Sequence, residues 1–494
     1  MSLRLALTAG LLLAFVPLTT LAAPPADPRA ALKKRAEGDT PMMADLQELC
    51  DRIGGRITGS PAADRAAVWG TEKFRAAGLD AVTTESFSVP FRWLPGTVEV
   101  AALSPEPFTL RAVAAPGTAS TGKPIEALVV DVGRGTAADW ARVGEKAKGA
   151  LALVHSNPMK TFDDLFAEYI EATPLLAAAG KAQVAGLIVQ STRPRGLLYQ
   201  HPMVFGRSPG TVPVAMVSRE HADRLAYLAS KGEVRARMDI ANRIGPAFDA
   251  LNVVAEIKGK EKPDEVVVLG AHLDSWALGT GAEDNGINAA LVIDVARAFH
   301  QLGLEPRRTV RFVLFSGEEQ GMWGSAGYVE RHKAELDRHA GVVIFDLGSG
   351  RIRGFFVNGR PELRPVVAKA LSVYSGMGAA SHSLEGVDGT DNFDFLLSGV
   401  PNFVADQDPA PYLPDYHAES DVPDQVNVKE ARRNAGLAAT LVWSMANSPA
   451  AIPKRQTREQ VDALLVKTKL VEQMQGFEQW EDWKAGRRGF PPGP

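Results

Sequence analysis

Apolar and polar positions follow two rhythms along this chain. From Leu251 onward, short apolar runs (LNVVAEIKG, EVVVLGAHL, TVRFVLFS, GVVIFDLGS, VPNFVAD) alternate with longer stretches at helical spacing. The clearest of these is INAALVIDVARAFHQL, with Ile287, Leu291, Val295 and Phe299 on one face. SAGYVERHKAELD, LRPVVAKALSVYSG and KEARRNAGLAATLVWSMA read the same way. Strands alternating with helices predict an α/β sandwich, three layers around a mostly parallel central sheet. Upstream, the spacing of Met43, Leu46, Leu49 and Ile53 predicts an amphipathic helix. Ser60-Pro61 opens a second helix ending at Gly78, and VTTESFSVPF reads as a strand. Between Trp93 and Ile244 the rhythm changes to short β-like runs (TVEVAAL, EALVVDVG, GALALVHS, AGLIVQS, VPVAMVS) separated by Pro and Gly turns, with one helical stretch, AEYIEATPLLAAAGKAQVA. This pattern predicts one α/β domain from residues 41–92 and 245–448, interrupted by a β-rich insertion at 93–244. Residues 23–40 read as a flexible lead-in. The extension 449–494 reads as a charged amphipathic helix and a Pro-rich tail that packs on the domain or meets a second subunit.

The first residues stand apart. A basic start (MSLR), an apolar core (ALTAGLLLAFVPLTTL) and small residues at Ala22 and Ala23 form the three-part pattern of a secretory signal peptide over 1–22, cut after Ala22. The expectation is an exported protein, secreted or periplasmic. Beyond that segment nothing is apolar over a membrane-spanning length, so no stable membrane association is expected after cleavage. The 494 residues are 45% hydrophobic and 23% charged with a net charge of -4, and no basic patch argues for nucleic acid. Cys50 is the only cysteine, so no intrachain disulfide can form. Its helix-like context, DLQELCDRIG, suits a buried thiol, and stability must come from packing and bound metal.

Candidate chemistry sits where the apolar runs end. LGAHLDSWALGTGAEDN carries His272, Asp274 and Asp284 out of a strand into a Gly-rich turn. Glu318 and Glu319 follow the next strand, Asp346 ends another, and His417 lies downstream. Ligands gather beyond the carboxyl ends of such strands. Histidine nitrogen and carboxylate oxygen are what catalytic zinc takes, with one position left for water, and paired ions share a bridging carboxylate. Asp284, in a tight turn before a helix, is suited to bridge. His272 and Asp346 can bind one ion, and Glu319 and His417 the other. Asp274 can orient His272 from behind. Glu318 is left free to take a proton from the attacking water and deliver it to a leaving amine. Taken singly, each has an ordinary explanation as a turn, a helix cap or a solvated face; six at strand ends in one region do not. His382 and His201 are candidate substrate contacts. His300, His332 and His339 are expected to be exposed, and His155 and His221 lack acidic company. No GxSxG elbow, dinucleotide fingerprint or phosphate loop is present.

HLDSW, GAEDNG, FSGEEQG, FDLG and YHAESD, in that order, resemble the di-zinc exopeptidases of metallopeptidase family twenty-eight. The likeness runs from RIGGRITGSPAADRA to YHAESD, covering most of residues 45 to 447, and the insertion looks like a protease-associated domain. The resemblance implies a zinc exopeptidase-like fold and two Zn²⁺ held by His272, Asp284, Glu319, Asp346 and His417, with Asp284 bridging. It also implies Glu318 as general acid/base, Asp274 supporting His272, dipeptide or short-peptide substrates and a homodimer. YHAESDV departs from the pattern in lacking the small hydroxyl residue and Asp-Thr pair common in relatives, which bears on substrate preference more than on metal binding. An aminopeptidase acting on longer peptides is the alternative within the family. A binding or receptor module that inherited the fold without its metals is the alternative outside the enzyme class.

Overall fold

The computed structural model describes residues 24–451 and 453–491. The signal-peptide segment 1–22 and the last three residues of the Pro-rich tail lie outside the described residues. No helix among those described is long and apolar enough to cross a membrane.

The central sheet has eight strands: β1 (Ala81–Val89), β2 (Phe248–Ile257), β3 (Lys262–His272), β4 (Arg308–Phe315), β5 (His339–Ile344), β6 (Ile352–Phe356), β7 (Ser381–Ser383) and β8 (Asn402–Gln407). Their spatial order is β1-β2-β4-β3-β5-β8-β6-β7. The middle run β4-β3-β5-β8 is parallel. On one side β2 and β1 add antiparallel, and β6 meets β8 antiparallel on the other. At the far edge β7 pairs with β6 in parallel, so the sheet is mixed but parallel in four of its seven pairings, including the whole centre. That centre is covered on both faces: every residue of β4 and β5 is buried, and the polar ones are paired, Arg308 with Glu265 and Arg311 with Glu256 and Glu335.

Helices α1 (Pro28–Ala36), α2 (Met42–Arg52), α3 (Pro61–Ala76), α4 (Phe162–Lys181), α5 (Ile287–Gln301), α6 (Trp323–Arg331), α7 (Val428–Asn447), α8 (Arg458–Lys467), α9 (Leu470–Gly476) and α10 (Trp480–Lys484) matter below. Periodicity predicts one buried face for α5. Instead Ile287 through Phe299 are all buried, because α2 and α7 cover the side facing away from the sheet. Its polar residues survive by pairing: Asp294 binds Arg297 and Arg35, each at 2.8 Å, and Arg297 also binds Asp45 at 2.6 Å. The lead-in therefore contains a helix. Asp27 caps α1, α1 packs on α7, and Arg35 reaches a carboxylate that would otherwise be short of donors. Cys50 is buried against this core as expected, and burial raises its thiol above the usual range.

Residues 98–240 form a second eight-stranded sheet with its own apolar core. Its helix α4 runs under two reciprocal cap bonds between Thr161 and Asp164. The extension, in place of one amphipathic helix, forms three short ones, α8 to α10. Lys469 and Glu478 take left-handed conformations at the breaks, with φ of 61° and 56°. The breaks let the segment fold back onto the molecule. Buried Arg488 pairs with Asp394 at 3.1 Å and donates to the carbonyls of Gly321 and Met322, while Asp482 pairs with Arg207 of the second sheet's unit at 2.8 Å.

Three histidines depart from expectation. His339 is buried at the start of β5, and His332 is half-buried between Glu85 and Glu335. His155 does have acidic company, with its Nε2 2.9 Å from Asp131.

Candidate metal centre

Four neighbouring parallel strands deliver the site. His272 is the last residue of β3, Glu318 and Glu319 follow β4, Asp346 follows β5 by two residues, and His417 lies in the loop after β8. Asp284 sits in the irregular turn Ala282–Gly286 that launches α5, with extended φ and ψ of -120° and 90°. The chain reverses there without a regular helical turn, so the carboxylate stands between the two histidines.

His272 Nε2 lies 2.8 Å from Asp346 Oδ1 and 3.3 Å from Asp284 Oδ1. His417 Nε2 lies 2.9 Å from Glu319 Oε2 and 3.3 Å from Asp284 Oδ2. Two donor triads result, His272–Asp284–Asp346 and Asp284–Glu319–His417, and Asp284 belongs to both through different oxygens. Glu318 stays outside both triads, its Oε2 3.8 Å from His272 Nε2.

These residues fit metal ions better than they fit one another. Asp284 Oδ2, Glu319 Oε1 and Asp346 Oδ1 are buried without a well-formed hydrogen bond, even though a histidine nitrogen lies near two of them. Buried carboxylate oxygens need donors or cations, and orphans on three converging side chains point to cations. The electrostatics agree. Burial lifts Glu319 to about 7 against the pull of His417, and lifts Glu318 well above the usual carboxylate range against the pull of His272. Burial would lower both imidazoles, yet Asp346 and Glu318 hold His272 well above its usual value, and Glu319 foremost holds His417 at about 9. So much packed negative charge raises the affinity for anything positive.

Behind the ligands stand residues that sequence patterning did not single out. His272 Nδ1 is 3.1 Å from the backbone carbonyl oxygen of Asp274, closer than the 3.6 Å to that residue's carboxylate. The Asp274 side chain has a second task, since its Oδ2 accepts from Thr58 Oγ1 and from the amide of Gly317, both at 2.9 Å. It thereby fixes the turn that presents Glu318. Asp421 accepts from the amides of Glu283 and Asp284 at 2.6 and 3.2 Å, anchoring the bridging turn. Arg56 is fully buried and donates to the carbonyls of Leu273, Thr280, Gly281 and Gly54. A polar residue that binds backbone carries no periodic signature, although Arg56 and Asp421 lie inside or beside the quoted motifs.

The centre opens onto a cavity of about 410 Å³. Its walls include α4 residues Phe162, Leu165 and Tyr169, Pro202 and Phe205 from the same unit, the loop 385–390, and Thr468, Lys469, Gln473 and Phe477 from the extension. The insertion, which offered few candidate residues in sequence, thus supplies a wall. Tyr169 Oη meets Tyr416 Oη at 2.5 Å, and the Tyr416 ring stacks on His417. Neither candidate substrate contact lines the cavity. His201 is buried behind Tyr169, whose ring centre is 4.2 Å away, and burial lowers it to about 4. His382 lies on edge strand β7 with its carbonyl accepting from Arg364. His201 sits in coil packed against Tyr169 and His382 on an edge strand, and both lie outside the cavity lining.

Comparison with known proteins agrees with this geometry. Carboxypeptidase Q of Bos taurus is 27% identical over 413 residues, covering 83% of this chain and 86% of that protein. Carboxypeptidase Q of Xenopus laevis is 29% identical over 377 residues, 75% and 78% of the two chains. The crystal structure of a peptidase M28 precursor from Shewanella amazonensis superposes with a TM-score of 0.79 at 27% identity, over 87% of this chain and 98% of that one. Residues 252–442, which carry His272, Asp284, Glu319, Asp346 and His417, match the model of Peptidase family M28.

Proposed function

We propose that this chain is an exported zinc-dependent exopeptidase that hydrolyses the peptide bond of dipeptides or short peptides, in the manner of carboxypeptidase Q. The observation that carries the reading is the pair of buried triads sharing Asp284, three of their carboxylate oxygens without a well-formed hydrogen bond, on the floor of a cavity of peptide size. His272, Asp284 and Asp346 would hold one zinc ion, and Asp284, Glu319 and His417 a second. Zinc in these positions supplies Lewis-acid polarisation of the scissile carbonyl and lowers the pKa of water towards about 7.

The chain's own residues do the rest. Glu318, outside both triads, takes a proton from the attacking water on Oε2 and gives it to the amine as the C–N bond breaks. Asp274 and Thr58 keep Glu318 in place through the Gly317 amide. The aromatic wall of Phe162, Phe166, Tyr169, Phe205 and Phe477 shields the reaction from bulk water. We assign residues 93–244, which supply all of that wall except Phe477, as the protease-associated insertion. Export rests on the segment 1–22, and the family resemblance adds a homodimer.

Metal analysis and hydrolysis of free dipeptides by the purified protein test the reading. Bound zinc and chelator-sensitive cleavage are expected. Glu318→Gln should keep its zinc and lose about 10²- to 10⁴-fold in kcat. A wild type with neither bound zinc nor chelator-sensitive activity would overturn the enzyme in favour of a binding module. Aminopeptidase action is the second reading, because the acidic side chains of Asp163 and Glu385 on the same cavity could hold a free ammonium.

A further inference from the structure

One side chain on the cavity has the opposite sign to nearly everything around it. Apart from the metal-site acids, Asp163, Glu385 and Asp388 face the cavity, and Lys469 is the only lysine or arginine among its lining residues. Its ammonium has no ion-pair partner among the described residues, although the extension around it is otherwise rich in pairs: Asp482 with Arg207, and Lys484 with Glu481.

Lys469 is also held in an unusual way. Its backbone is left-handed, φ 61° and ψ 24°, at the junction of α8 and α9. That conformation is costly for a residue with a Cβ, and such positions persist where the surroundings enforce them. Here they do. On one side the loop at Gly386 presses so closely that a Cβ there would lie 2.7 Å from Leu470 Cδ1 and 3.1 Å from Thr468 Cβ. On the other, Phe477 is locked among Phe166, Tyr169 and Phe205, with ring centres 5.1 to 6.5 Å away. The junction is thus fixed to the loop wall and to the insertion wall at once, and its lysine is delivered to the cavity rim.

We propose that Lys469 is the specificity-determining residue of this site, its ammonium pairing with the free α-carboxylate of the bound peptide. The proposal rests on the peptidase reading above and deepens it. Asp163 on α4 and Glu385 and Asp388 on the loop 385–390 repel a peptide's carboxyl end, so Lys469, the one basic side chain among the lining residues, sets the direction in which the chain lies. With the carboxylate at Lys469, the C-terminal residue occupies the space under α9 and the loop 385–390, and its peptide bond faces the triads. The enzyme then reads the C-terminus, and a peptide lacking a free carboxylate forfeits the ion pair.

The test compares an Ala-Leu dipeptide, its C-amide, its N-acetyl form, Ala-Glu and Ala-Gln on wild type, Lys469→Met and Lys469→Arg, each with its zinc content and melting temperature measured. Wild type should favour the free dipeptide over the amide by about 10- to 100-fold in kcat/KM, the worth of one charge-assisted hydrogen bond. Lys469→Met should erase that preference through KM, leaving kcat, zinc and cleavage of the amide near wild type, and Lys469→Arg should restore it. Wild type cleaving amide and free dipeptide alike, or Lys469→Met keeping the preference, overturns the assignment while leaving a peptidase. A loss confined to Ala-Glu relative to Ala-Gln would instead assign Lys469 to a substrate side chain and overturn the α-carboxylate. Wild type inert towards every substrate would overturn the peptidase reading, and this proposal with it.

Discussion

Arg56 offers the sharpest test of how the metal centre is built. Its guanidinium is wholly buried and gives hydrogen bonds to four carbonyls: Leu273 directly after β3, Thr280 and Gly281 ahead of the bridging turn (2.7 and 2.8 Å), and Gly54 (3.2 Å). Replacing it by methionine keeps most of the apolar volume and removes every donor. Each carbonyl left dry costs about 1–3 kcal/mol. Even at the low end, four of them give about 4 kcal/mol, within the range for breaking a buried charged network. Two effects on metal oppose each other. Removing a cation behind the site lowers electrostatic repulsion and would tighten binding. Releasing Thr280 and Gly281 loosens the turn that aims Asp284 at both triads and would weaken it. Ligand placement must hold to about 0.5 Å, so the loosened turn wins. Arg56→Met should lower the melting temperature of the chelator-treated protein by about 5 °C or more, and zinc affinity should fall about 10-fold or more. Arg56→Lys, with fewer and differently aimed donors, should fall between. An unchanged melting temperature together with unchanged or tighter zinc binding would refute the stapling role.

Two further outcomes follow from contacts away from the centre. Arg35→Met removes one of two arginines on buried Asp294 and should destabilise the protein by about 2 kcal/mol, seen as a lower melting temperature at unaltered kcat; a normal melting temperature would mean the first helix only rests on the surface. The hydrogen bond to Asp131 raises His155 above its usual pKa. A raised folded-state pKa stabilises fully below the unfolded value of about 6.5 and is lost as pH rises through the folded one. Stability of the insertion, followed by hydrogen exchange of residues 125–156, should therefore decline on going from about pH 6 to 8. Asp131→Asn should flatten that slope, and an equal slope in the variant would count against the pair as its source.

The chemistry is legible in the sequence because metal ligation and sheet burial leave local marks. Apolar runs predict β3, β4, β5 and β8, and the acidic or histidine residue beyond each run is where the structure puts a member of one of the two triads. Asp284 is legible as a bridge because a Gly-rich turn before a helix is a local event. Polar residues working on backbone from a distance are not. Sequence spacing pairs Asp274 with His272, yet its carboxylate secures Gly317, 43 residues downstream. The lead-in reads as flexible because α1 is short and polar, and its anchor, Asp294, lies 259 residues from Arg35. His201 and His382 are candidate substrate contacts in sequence, and only packing shows that neither lines the cavity.

By itself, the sequence determined the α/β alternation, the place of the insertion and the set of side chains able to hold metal, since each depends on residue type and short-range spacing. Only the tertiary structure decided that the Asp274 carboxylate braces Gly317 and that the insertion becomes an aromatic wall beside the two triads. It also decided that the extension breaks into three helices and brings Lys469 to the rim. These outcomes depend on the order of strands in the sheet and on close approach between segments hundreds of residues apart. Such contacts are set by the packing of the whole chain, and no local pattern records them.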